Sequence, residues 1–472
     1  MKKINLSFIA AVLLFNTQVS SQQLPSNFFE GKLVQEPQEL TFIFETRYDM
    51  DRFITLMYIP EQFIYAKKAN KTFCERDSIN IQYSEFRAYY AGRIDREQML
   101  INGNWVQGGT SHPMVLYFKS QSEATSFNRP QEPKEPFPYI TKDISVPNKK
   151  EKIQLHGTLT LPDTTGVHTL AILISGSGPQ DRNEELAGHK PFLVIADYLT
   201  RNGIAVFRYD DRGVGKSEGN FSTATTADFM NDALSVVAFF KKYPNINPKR
   251  IGLIGHSEGG LIAMMAAAKN KSISFIVSLA GPGVTIVDLL LKQTEDLMRA
   301  GKANEDFIEL TRVINFQMYN LALSQPNPDS LMKKIEIIIN EATADFAPAD
   351  IEKYNLTTEQ ARLAATQLYA PWMKYFLAIK PSVYLKKIKC PVLALNGSLD
   401  IQVSADENLE AIKTYLTEAK NLNFKTVKMD KLNHLFQYVE KGTLEEYMLT
   451  EETFNEKALM EILDFIKNLP QK

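Results

Sequence analysis

Five continuous apolar runs, Leu170 to Ile174, Ile204 to Tyr209, Ile251 to Ile254, Phe275 to Leu279 and Pro391 to Leu395, recur along the chain. The first four are separated by helical patterns. A run of four to six apolar residues has no polar face to turn to water, so it must be covered on both sides. A mostly parallel sheet between two layers of helices does this, and the chain is expected to be α/β from about residue 140 to 472. Ile153, Leu155, Leu159 and Leu161 share one parity and start that sheet. Between Gly283 and Lys387 the strand pattern stops, and Phe307, Leu310, Ile314, Met318 and Leu321 step by three and four. This predicts a helical insertion over about 284–387, placed where a lid would sit.

The preceding segment has a different period. Ser78 to Tyr83 alternates polar and apolar residues, and Thr41–Phe44, Phe53–Ile59, Ala88–Ile94, Met99–Trp105 and Met114–Phe118 read as further short strands. A small antiparallel β domain, barrel or sandwich, is expected over 22–127, with turns at Asn102-Gly103 and Gly108-Gly109. Prolines at 130, 133, 136 and 138 then mark 128–139 as an extended linker. At the N-terminus, Lys2 and Lys3, an apolar stretch from Leu6 to Phe15, and the small residues Ser20 and Ser21 predict a signal peptide over 1–21. Its apolar core is too short to span a membrane. The expectation is export, to the periplasm or beyond the cell.

Composition narrows the function classes. Hydrophobic residues at 44% and charged residues at 23% suit a globular chain. Lys+Arg 53 against Asp+Glu 55 gives a net charge of -2, with no basic excess for a nucleic-acid backbone. Cys74 and Cys390 are the only cysteines, too few for a disulfide framework or a cysteine-ligated zinc. No cofactor or metal is implied.

The chemistry concentrates where Arg250 to Ile254 runs into Gly255-His256-Ser257-Glu258-Gly259 and then a small-residue helix start, giving strand, G-x-S-x-G and helix in order. A serine on such a turn is exposed as a nucleophile, and the flanking glycines prevent clashes as the chain reverses. An activated serine needs a base oriented by a carboxylate. Of six histidines, only His434 follows Ser257. Asp400, just beyond the strand ending at Leu395, is the favoured orienting acid, and Asp406 and Glu407 are alternatives. An oxyanion needs backbone N–H donors, expected from Glu258 and from Ser177 in the loop Ser175 to Arg182, with Gly176 the next choice. Gly215-Lys216-Ser217 imitates the end of a phosphate-binding loop, but Asp210 stands where that motif requires glycine. Glu258 itself reads as a helix-start carboxylate, and Trp372, Tyr375 and Phe376 as packing within the insertion.

Ser175 to Arg182, Tyr209 to Ser217, Gly255 to Gly259, Gly397 to Asp400 and Asn433-His434 together resemble the α/β-hydrolase superfamily. Within it, the chain is most similar to secreted bacterial esterases grouped with serine aminopeptidase-like hydrolases, over about 140–469. Gly103 to Gly109 resembles a segment of the N-terminal β domains that such proteins often carry. One departure is Ser175, where many members have histidine. The resemblance implies a serine carboxylic ester hydrolase with a small-molecule ester substrate. A serine peptidase with the same triad, or a non-catalytic binding protein on this scaffold, are the other readings.

Overall fold

The computed structural model describes residues 28–470 apart from 36–37, 50–51, 60–61, 63, 120–128, 325–326, 345, 348–350 and 352–356. The signal peptide expected over 1–21 lies outside the described residues. The chain divides into two compact units, Met1–Thr125 and Ser126–Lys472.

The first unit is one antiparallel sheet of nine strands: β1 Phe28–Gln35, β2 Gln38–Asp49, β3 Arg52–Ile59, β4 Ile64–Lys68, β5 Lys71–Glu75, β6 Ser78–Tyr83, β7 Ala88–Asp95, β8 Leu100–Gln107 and β9 Thr110–Lys119. Its order is β4-β3-β2-β1-β9-β8-β7-β6-β5, so the two edge strands are consecutive in the chain. Between them Ala69 N–H reaches the Thr55 carbonyl and Asn70 N–H the Gln82 carbonyl, both at 2.8 Å, curling the sheet towards closure. Alternate residues such as Phe29, Phe44, Ile81, Tyr90, Ile101 and Trp105 point into one buried core. Of the two expected turns, Gly108-Gly109 is one, with φ of 60° and 90°. Asn102-Gly103 is not a turn: it lies inside β8, paired with Arg93 and Gly92. Glycine serves close approach there, since a Cβ on Gly103 would stand 2.6 Å from the Tyr90 hydroxyl. Strands β1, β4 and β5 lie outside the segments expected as strands.

The second unit is built on an eight-stranded mixed sheet: β10 Ile140–Asn148, β11 Ile153–Leu161, β12 His168–Ile174, β13 Ala205–Tyr209, β14 Ile246–His256, β15 Ile276–Leu279, β16 Val392–Gly397 and β17 Phe424–Met429. The order is β10-β11-β13-β12-β14-β15-β16-β17. The two pairs involving β11 are antiparallel and all the others are parallel. β13, β15 and β16 are buried at every residue, whereas the edge strands β10 and β17 carry exposed positions. That is the expected difference between a strand covered on both faces and one at a sheet margin.

Helices α1 Pro191–Arg201, α2 Thr226–Phe240 and α3 Glu258–Lys269 lie between the strands, and Ala405–Glu418 and Glu456–Lys467 follow later. α1 packs beside Glu456–Lys467 and α2 beside α3, so helices cover both faces. Among the described residues, six helices, the first Ile286–Ala300 and the last Pro381–Leu385, stand between β15 and β16. Arg129 docks the proline-rich segment onto this unit, donating to the carbonyls of Ala187, Gly188, Met448 and Thr450. No helix of the described residues is long and apolar enough to cross a membrane.

Candidate active site

Parallel register aligns the C-terminal ends of the central strands: Ile174 pairs with Gly255, His256 with Leu279, Leu279 with Leu395, and Gly397 with Met429. The loops that follow those ends therefore gather along one edge of the sheet, where open α/β folds bind ligands. Ser175–Arg182, Ser257, Asp400 and His434 all lie in them.

Ser257 joins β14 directly to α3 with φ 52° and ψ -120°, a region non-glycine residues rarely occupy. Its N–H is fixed by the Leu279 carbonyl at 2.8 Å. The flanking glycines are sterically required: a Cβ on Gly255 would lie 2.0 Å from the Gly259 carbonyl oxygen, and one on Gly259 would lie 2.1 Å from that of Ile174. Among the described residues the Ser257 hydroxyl forms no hydrogen bond.

His434 and Asp400 are brought together. The Asp400 Oδ2 lies 2.8 Å from His434 Nδ1, and both side chains are buried. Oδ1 accepts the N–H groups of Gln402 and Val403, each at 2.8 Å. A carboxylate that only accepts places the imidazole proton on Nδ1 and leaves the Nε2 lone pair available. Asp406 takes no part: it is exposed and pairs with Lys428 at 2.8 Å. Glu407 accepts from Ser404 at the start of its own helix.

The two proposed oxyanion donors differ from the third choice. Gly176 N–H is taken by Glu184 Oε1 at 2.6 Å. Among the described residues the N–H groups of Ser177 and Glu258 meet no acceptor, and the latter is at the first turn of α3, where helices leave N–H groups unpaired.

Several contacts around these groups were not legible in the sequence. Asp211 buttresses the Ser175–Arg182 loop, accepting from Ser175 Oγ at 3.0 Å and Gln180 N–H at 3.1 Å. Burial, reinforced by the charges of Glu184 and Glu258, pushes its pKa well above the usual carboxylate range. The Arg182 guanidinium closes on Asp210 with two bonds, 2.9 and 2.7 Å, and Ser217 Oγ donates to the Asp210 carbonyl, so the Gly-Lys-Ser stretch serves loop structure. Glu258 is more than a helix-start carboxylate. It is buried and accepts from Thr226 Oγ1 at 2.6 Å, Ser177 Oγ at 3.0 Å and, from the inserted helices, Trp372 Nε1 at 3.0 Å. Burial raises its pKa, against the pull of those three donors. Trp372 also stacks on Phe376 with ring centroids 5.0 Å apart. The contacts of Asp211 and Glu258 join residues more than 30 positions apart, so no local pattern announces them. The described residues contain no group of three His, Cys, Asp or Glu side chains able to hold a metal ion.

The family described as serine aminopeptidase, S33, matches residues 190–425, half of the 472 residues. The chain belongs to that family. This S33-family protein is therefore a hydrolase of the α/β-hydrolase fold. The matched stretch holds Ser257 and Asp400 and ends before His434. Among curated relatives, the protein is 26% identical over 338 residues to esterase EstD of Thermotoga maritima, covering 71% of this chain and 68% of that one. It is 34% identical over 85 residues to the thiohydrolase aneE of Aspergillus aculeatus, 18% of this chain and 27% of the other. Among solved structures, an esterase of Pyrococcus furiosus aligns at 17% identity with a TM-score of 0.44, over 73% of this chain and 97% of that one.

Proposed function

We propose that this S33-family protein is a serine carboxylic ester hydrolase for small or short-chain esters, with Ser257 as nucleophile, His434 as base and Asp400 as the group that orients it. The observation that carries the reading is the Asp400–His434 bond of 2.8 Å, formed on the same sheet edge as a serine held at φ 52° between strand and helix. Free enzymes often hold the serine–histidine bond long, and it tightens with substrate.

In this reading Ser257 Oγ attacks the ester carbonyl carbon while its proton passes to His434 Nε2. The carbonyl oxygen becomes an oxyanion facing the N–H groups of Ser177 and Glu258. His434 then gives its proton to the departing alcohol, leaving an acyl-enzyme. Water attacks that acyl group, again losing a proton to His434, and the acid leaves as Ser257 recovers its hydrogen. Asp400 holds the Nδ1–H tautomer throughout.

Ester is favoured over an N-terminal peptide substrate because an aminopeptidase needs a carboxylate for the substrate ammonium group. Three buried carboxylates beside the Ser175–Arg182 loop and Ser257 are engaged: Glu184 by Gly176 and His256, Asp211 by Ser175 and Gln180, Glu258 by three donors. That EstD of Thermotoga maritima is an esterase agrees with this choice. The test compares p-nitrophenyl acetate and butyrate with aminoacyl p-nitroanilides on purified wild type and Ser257→Ala. Ester turnover that disappears in the variant supports the proposal; faster anilide cleavage overturns the ester assignment. We further propose that residues 1–21 direct export, which cell fractionation of the full chain tests.

A further inference from the structure

Glu184 and His256 take no part in the steps above, yet they join two of the loops those steps use to the strand end before Ser257. Glu184 is 2% exposed and held at φ 51°, in the left-handed region. Its Oε1 accepts the Gly176 N–H at 2.6 Å and lies 2.9 Å from His256 Nδ1. On the far side of the ring, His256 Nε2 lies 2.9 Å from the carbonyl oxygen of His434. The imidazoles of His256 and His434 stand with centroids 4.7 Å apart. One carboxylate and one imidazole thus join the oxyanion loop, the residue before the nucleophile, and the backbone of the base.

The proton inventory is restrictive. A carbonyl oxygen only accepts, so His256 Nε2 carries hydrogen. A neutral ring would then have only a lone pair at Nδ1, and its contact with Glu184 needs one more proton. An ionised carboxylate and a doubly protonated ring satisfy all three bonds together. Burial opposes that imidazolium, but the charge and hydrogen bond of Glu184 and the His434 carbonyl outweigh it, and the His256 pKa lies above its ordinary value.

We propose that Glu184 and His256 are positioning residues for the hydrolytic reaction, fixing the backbones of Gly176 and His434 relative to Ser257 so that oxyanion donor and base converge on one acyl carbon. This rests on the Ser257–His434–Asp400 reading. Ser177, whose N–H is the proposed donor, follows Gly176 directly, so pinning one peptide orients the next. The pair carries no net charge, so its action is geometric.

Glu184→Gln is the isosteric test. Its single oxygen can still accept two donors, but without the anion the buried ring gives up a proton. Either Nε2 then faces the His434 carbonyl without hydrogen, or the amide turns and Gly176 loses its acceptor. The expected result is a fall in kcat of roughly tenfold or more, the equivalent of one lost charge-assisted hydrogen bond, with KM little changed. The rate of Ser257 phosphonylation by a fluorophosphonate falls in parallel. His256→Phe, which keeps a ring and loses both donors, is expected to behave alike. Rates are expressed per labelled Ser257, so partial unfolding does not imitate the effect. Variants with wild-type kcat and wild-type labelling rate per site would overturn the proposal. Wild type that is not labelled at Ser257 is a different result, and sinks the triad reading itself.

Discussion

Replacing Asp400 by asparagine changes one heavy atom and reverses what His434, the proposed base, can do. In the native chain Oδ1 accepts two backbone N–H groups, from Gln402 and Val403 at 2.8 Å each, and Oδ2 faces His434 Nδ1 at 2.8 Å. Asparagine has one acceptor oxygen, and the two fixed N–H groups claim it. Its NH2 must then occupy the Oδ2 position and point at His434 Nδ1. Two donors cannot share a hydrogen bond, so the ring moves its proton to Nε2 and presents a lone pair to the amide. Nε2 can no longer take the Ser257 proton. A base trapped in the wrong tautomer loses on the order of 10⁴ in kcat, about 5.5 kcal/mol of barrier. The fold keeps both backbone bonds, so the melting temperature is expected to stay close to wild type. The assay is kcat at neutral pH on p-nitrophenyl acetate, beside a thermal melt. A folded Asp400→Asn enzyme within tenfold of wild type would refute the assigned role of Asp400.

Gly259→Ala forces a Cβ to within 2.1 Å of the Ile174 carbonyl oxygen, where backbone on both sides leaves no room to give. Overpacking of this kind costs about 1–3 kcal/mol or more, and urea unfolding should show at least that loss. His189 supplies a pH prediction. Burial, with the charge of Arg129, lowers its pKa to about 3. The folded state therefore resists protonating a ring that the unfolded chain protonates near its ordinary value of about 6.5. Its contribution to stability is full above that value and is lost as pH falls from about 6.5 towards 3. Unfolding free energy should decline across that window, and His189→Gln should flatten the slope.

The site was unevenly legible in the sequence, and the reason is locality. The turn bearing Ser257 is written in neighbouring residues, because a left-handed serine between strand and helix needs Gly255 and Gly259 beside it. Asp400 and His434 could be nominated from chain order and strand ends, since a parallel sheet places loops after strands on one edge. Nothing comparable marks Glu184, which meets His256 and Gly176 only once the loops are folded, or the bond between Trp372 and Glu258. Asn102-Gly103 shows the opposite failure. A glycine needed for close packing against Tyr90 has the same letter as one needed for positive φ, and only the strand register separates them.

Ser257 is proposed as a nucleophile activated on this sheet edge. The most direct measurement treats the purified full chain and its Ser257→Ala variant with a fluorophosphonate, maps the adduct by peptide mass spectrometry, and follows ester turnover on the same samples. One adduct on Ser257 is expected, with turnover lost in proportion, and neither labelling nor turnover in Ser257→Ala. An adduct on another serine, or ester hydrolysis that survives in Ser257→Ala, would contradict it.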